Sequence, residues 1–347
     1  MRKTLIINYL QNIYLVKNTT ILFLLFFQNI LFAQADVAKK LGFTTFFIEN
    51  KGEKIECVVA DLDLSKPKPL AIFVQGSGSM PLFLFDTVKK DTVFMMPFDV
   101  KKYAQDVRFV FIHKRGIPTL GDIEGKYFDF EKMSLEFLEH EKLENRVKRI
   151  EKVVDFLSKQ KWVDNKKIYL IGHSAGYRVS VDVAAKSKKL AKVVCMSANP
   201  FSRNIQYVRE QRLKMHRGEI SDTLATNNID TLFSQYSSSL NYKFDESQAK
   251  YTAFYASDIS YNKIFSIDNL LKINVPLLIT YGSADIGALD NDMIPYFFIQ
   301  KNKWNFDLKC YPNLERNYLK LDKNGKVLER HWQDVLDDVV KWLKSSS

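Results

Sequence analysis

One corner in the chain limits what it can fold into. The apolar run Ile168-Tyr169-Leu170-Ile171 reads as a buried strand, and it ends in Gly172-His173-Ser174-Ala175-Gly176. A helical pattern over 175–187 follows directly. A strand that turns straight into a helix holds the corner residue in strained backbone, and its neighbours two places away must be small to let the chains pass. Ser174 is therefore expected at the edge of a sheet, its hydroxyl turned outward beside a helix N-terminus.

The flanking sequence repeats the same alternation. Unbroken apolar strands are expected at 70–75, 107–112, 192–196 and 275–281, with a further strand at 306–311. Between them lie amphipathic patterns, such as Val147, Ile150, Val153, Val154 and Leu157, a helix over 292–301, and a last helix carrying Trp332, Val335, Val339 and Trp342. Strands apolar on both sides, alternating with helices, predict a mostly parallel sheet of α/β class covered on both faces. A strand pair over 44–50 and 54–60 precedes it. From 199 to 272 the texture becomes polar, with helical stretches at 206–217 and 230–240, and predicts a helical cap inserted over the sheet. The expected organisation is a leader at 1–35, core at 36–198, cap at 199–272 and core again at 273–347.

With 347 residues, 46% of them hydrophobic, the chain can bury the core of one large domain with an insertion. The net charge of +11 comes from scattered Lys and Arg without a basic run or interleaved aromatics, which argues against a nucleic-acid partner. Arg2, Lys3 and Lys17 precede an apolar stretch at 21–33 that closes on Ala33-Gln34-Ala35, the layout of a signal peptide. Export to the periplasm or beyond the cell is expected. The stretch falls short of the about 20 residues of a membrane span, so membrane contact is expected only through an uncleaved leader. Cys57, Cys195 and Cys310 lie in strand-like apolar runs and are expected as buried free thiols. Their spacing suggests no metal, and no cofactor is implied.

Gln75-Gly76-Ser77-Gly78 follows the strand at 70–75, and its glycines let backbone amides face a pocket. With Ala175, which follows the serine, Ser77 is the candidate oxyanion donor. Tyr281-Gly282-Ser283-Ala284-Asp285 ends a buried strand in a turn and puts Asp285 at the sheet edge, where open α/β sheets carry their sites. Asp290 and Asp292 read as caps of the next helix, and Arg115 of Lys114-Arg115-Gly116 as a structural ion pair.

On these motifs, with the late segment Tyr311-Pro312-Asn313-Leu314-Glu315-Arg316-Asn317-Tyr318, the chain resembles the α/β-hydrolases, specifically their exported bacterial serine esterase and peptidase-like branch. The resemblance runs from about residue 44 to 345. It implies hydrolysis of carboxylic esters or related acyl bonds of a small-molecule acyl substrate, with Ser174 as nucleophile and Asp285 as triad acid. It also implies a histidine base where this chain has Arg316. Arginine stays protonated and cannot take the serine's proton. Of the five histidines, His331 is the candidate substitute. Asn324-Gly325 reads as a two-residue hairpin turn, which pairs Lys323 with Lys326 and returns His331 opposite Tyr318. The other reading keeps His331 as a surface residue and gives Arg316 a carboxylate or phosphate to bind, in a catalytically impaired hydrolase-fold protein.

Overall fold

The computed structural model describes residues 37–345, apart from 51, 198 and 242–245. The expected leader lies outside these residues. Thirteen strands occur among those described: β1 (Thr44–Asn50), β2 (Glu53–Val59), β3 (Lys68–Val74), β4 (Phe83–Asp86), β5 (Asp91–Phe94), β6 (Arg108–Ile112), β7 (Leu120–Asp122), β8 (Val163–His173), β9 (Lys192–Met196), β10 (Leu277–Gly282), β11 (Phe306–Tyr311), β12 (Leu319–Leu321) and β13 (Val327–Arg330). Eight of them form one sheet in the order β1-β2-β6-β3-β8-β9-β10-β11. β2 runs antiparallel to its neighbours, and from β6 to β11 every pairing is parallel.

Successive side chains of a strand point to opposite faces, and β3 divides accordingly. Leu70, Ile72 and Val74 join a core with Val147, Val153 and Val179, whereas Ala71 and Phe73 join another with Phe111, Leu336 and Val339. The first core is closed by helices α2 (Leu143–Leu157) and α3 (Ala175–Ala184), which follow the short α1 (Leu135–His140).

Between β9 and β10 lie four α-helices and no strand among the described residues: α4 (Arg203–His216), α5 (Asp222–Leu240), α6 (Ala249–Asn262) and α7 (Ile267–Leu270). α4 and α5 start earlier than their apolar pattern suggests because Ser202 and Ser221 cap them, accepting from the amides of Ile205 and Leu224. α8 (Ala288–Asp292) and α9 (Ile294–Gln300) follow β10, and α10 (Trp332–Lys344) closes the second core.

Three expectations change. Cys310 is exposed, because β11 is an edge strand, while Cys57 and Cys195 are buried thiols as expected. Asp290 and Asp292 cap neither α8 nor α9: Asp290 is buried against Arg209, and Asp292 accepts the Tyr281 hydroxyl. In the β12–β13 hairpin Leu319 pairs with Arg330 and Lys320 with Glu329, the expected register, but the turn is wider. A bulge intervenes, and the Asp322 carboxylate takes the amides of Asn324 and Lys326, so Lys323 and Lys326 are not paired.

Candidate active site

Ser174 stands at the corner between β8 and α3 with φ 57° and ψ −123°. This strained backbone exists because the surroundings leave no alternative. A Cβ at Gly176 would overlap the Val74 carbonyl oxygen, and one at Gly172 the Gly176 carbonyl oxygen. β3 thus packs against the corner itself. The loop after β3 comes equally close: a Cβ on Gly76 would lie 3.0 Å from the Ser174 Cβ. The Ser77 and Ala175 amides are left without a backbone acceptor among the described residues. Ala175 opens α3, so its N–H belongs to the unpaired first turn, at the positive end of the helix dipole.

Arg316 reaches the Ser174 hydroxyl. Its Nε and Nη2 donate to Ser174 Oγ at 3.3 and 3.1 Å. The Ser174 oxygen thus accepts two donors from one guanidinium. The guanidinium is desolvated, which lowers its pKa below arginine's ordinary value, while the Asp285 carboxylate acts in the opposite sense. Asp285 is buried in the turn after β10, where its Oδ1 accepts the Gly287 amide at 3.0 Å. Its Oδ2 and the Arg316 Nη1 are both buried without a hydrogen-bond partner. Serine, arginine and aspartate therefore form one charged cluster at the sheet edge.

No protein-family model and no curated protein matches the chain. Solved structures do. A Klebsiella pneumoniae chain named as a dienelactone hydrolase superposes with a TM-score of 0.52 at 13% identity, over 88% of this chain and 98% of its own. A Bacteroides ovatus chain named as a dipeptidyl aminopeptidase IV gives 0.51 at 13% identity over 87% of this chain. This chain spans only 35% of that protein's length. The chain has the α/β-hydrolase fold. In that fold the corner at Ser174, the turn at Asp285 and the segment carrying Arg316 converge on one edge of the sheet.

The structure does not bring His331 into this site. The hairpin register does deliver its backbone to Tyr318, whose carbonyl accepts the His331 amide at 3.0 Å. The imidazole then turns away, with Nδ1 2.8 Å from Asp334 and Nε2 3.0 Å from Glu329, both exposed carboxylates. These, Asp334 first, raise its pKa above the ordinary value. A cross-strand register fixes which residues are opposite, not which side of the ribbon a ring takes. His113 is buried behind the loop, His140 bonds the Glu136 carbonyl and His216 is exposed. Among the described residues no imidazole makes a hydrogen bond to Ser174.

His173 has a different part. Its Nε2 lies 3.2 Å from the Arg316 carbonyl oxygen, which also accepts the Ser197 hydroxyl at 2.5 Å. Nε2 must therefore carry the proton. The ring packs edge-on to Trp332 at 4.7 Å, and burial holds its pKa at about 3 despite the bond to that carbonyl. The backbone of Arg316 is thus pinned from two sides.

A cavity of about 340 Å³ opens over Ser174. Ser77, Ala175 and Arg316 line one end, while Phe137, Leu138 and Phe254 give it an apolar wall. Phe254 comes from α6, so the cap helps form the pocket. Sequence reading also missed two cations in this region, Lys114 and Arg146, because buried charges resemble surface ones until their partners are known. Arg115 does make ion pairs, with Glu136 at 3.1 Å and Glu53 at 3.9 Å. Among the described residues no three His, Cys, Asp or Glu side chains cluster to hold a metal.

Proposed function

We propose that this α/β-hydrolase-fold chain binds a small acyl compound bearing a carboxylate or phosphate, with Ser174 as a binding residue. The observation that carries the reading is the pair of hydrogen bonds from Arg316 to Ser174 Oγ. With two cationic N–H donors on its oxygen and no base among the described residues to take its proton, the hydroxyl is set to donate rather than to attack a carbonyl. An anion placed there would receive the Ser174 O–H, the Ser77 and Ala175 amides and the guanidinium charge. A cavity of about 340 Å³ with one aromatic wall suits a drug-sized or smaller ligand. The test is calorimetric titration with phenyl phosphate, whose ring matches the Phe137–Phe254 side. Binding is expected, and Arg316→Met should abolish it. Absence of binding, or binding indifferent to that change, overturns the reading.

A second reading, hydrolysis of carboxylic esters or related acyl bonds by Ser174, is favoured by the strained corner at Ser174. A fluorophosphonate probe separates the two. Under the binding reading the wild type stays unlabelled, and Arg316→His, which places an imidazole between Ser174 and Asp285, makes Ser174 reactive. Wild-type labelling that Ser174→Ala removes would establish the second reading instead. Export, drawn from the leader at 1–35, would place either function outside the cytoplasm.

A further inference from the structure

Lys114 follows β6, and its ammonium lies buried beneath the loop that faces Ser174. Its three N–H donors are all used: Gly76 O at 2.8 Å, Gly78 O at 2.8 Å and Glu141 Oε2 at 3.1 Å. Arg146 holds the next carbonyl back, Gln75 O, through Nη2 at 2.6 Å. Cations therefore hold three of the four carbonyls from Gln75 to Gly78 on one side.

Peptide geometry turns this grip into an orientation. In a trans peptide the C=O of one residue and the N–H of the next point in opposite directions within one plane. With the Gly76 carbonyl drawn down onto Lys114, the Ser77 N–H points away from it, toward the cavity that Ser77 and Ser174 share. We propose that Lys114 is a positioning residue that aims the Ser77 amide at the anion bound over Ser174, a role that rests on the binding reading above.

The groups around the ammonium define its response to pH. Glu141 and the Phe137 ring, 5.3 Å away, come from the α1–α2 region, and Arg146 from α2. Glu141 Oε2 is shared with Arg146 at 3.4 Å, and Arg146 Nη1 reaches Tyr261 of the cap at 3.1 Å. Burial lowers the Lys114 pKa to about 8; Glu141 opposes the shift and Arg146 adds to it. A neutral amine keeps only two N–H donors for three acceptors, so the loop loses part of its hold as pH rises through about 8.

The experiment is titration of the full chain with phenyl phosphate across pH 7 to 9, a range over which its phosphate stays dianionic. Wild-type affinity should fall by about tenfold, the scale of one hydrogen bond to a charged group. Lys114→Met should bind about that much more weakly at pH 7 and show no further fall. A flat wild-type profile, or an unchanged slope in Lys114→Met, overturns the proposal. Glycine-¹⁵N NMR of the wild type without ligand provides a second readout that needs neither the variant nor the binding reading. Gly76 and Gly78 signals moving with a midpoint near pH 8 uphold the grip of Lys114 on the loop, so that a failure of phenyl phosphate to bind then counts against the binding reading alone, and static signals refute the proposal.

Discussion

His173 carries a consequence for stability that can be calculated. Its imidazole is held neutral at about pKa 3, against about 6.5 in an unfolded chain. Between those values the unfolded state binds a proton that the folded state refuses, so stability falls as pH drops through 6.5 and continues to fall toward 3. At pH 4.5 the separation amounts to about two pH units of linkage, or about 2–3 kcal/mol. The residue is only half-buried, which makes that figure a ceiling. The assay is urea unfolding near pH 7 and near pH 4.5 for the wild type and for His173→Gln. Glutamine can still donate to the Arg316 carbonyl but cannot titrate. The wild type should lose more stability on acidification than the variant, by up to that amount. Equal losses would mean that the ring is not withheld from protonation, and the tether at Arg316 would need another donor.

Two further outcomes follow from packing. Gly176→Ala should destabilise the chain by about 3 kcal/mol or more, because its methyl meets the Val74 backbone rather than a side chain that can move; a thermal melt within a degree or two of wild type would contradict this. Alkylation of the native protein should modify Cys310 alone and slowly, since it is exposed yet its pKa is raised by partial burial, and mass spectrometry should find Cys57 and Cys195 reacting only in denaturant.

The parts of the fold that could be read in the sequence were those governed by local sterics and by period. The corner at Ser174 was legible because only small residues survive at Gly172 and Gly176, and the parallel sheet because β6, β9 and β10 carry unbroken apolar runs, Phe109 to Ile112, Val193 to Met196 and Leu277 to Ile279. The hairpin register was legible at Leu319 and Lys320 but not at the turn, where the bulge after Lys320 offsets the wider loop held by Asp322. The sequence did not disclose the side of the hairpin on which the His331 ring lies, since two nearby carboxylates decide it. Lys114 was hidden for a related reason: its three acceptors come from two separate segments, around 76–78 and at Glu141, that only the fold brings together. Cys310 was misjudged because a strand at the sheet edge and one inside it share an apolar texture.

The backbone at position 316 is held by its carbonyl oxygen, gripped by His173 and Ser197, separately from the bonds its guanidinium makes to Ser174. Backbone anchorage of this kind makes the side chain there interchangeable. Substitutions at 316 should leave those two carbonyl bonds available, so they can be compared as alternative chemistries on one backbone course. The same anchorage makes the position evolvable: a histidine or an arginine would be presented to Ser174 from the same seat, and the choice between moving a proton and gripping a charge could be made by one residue.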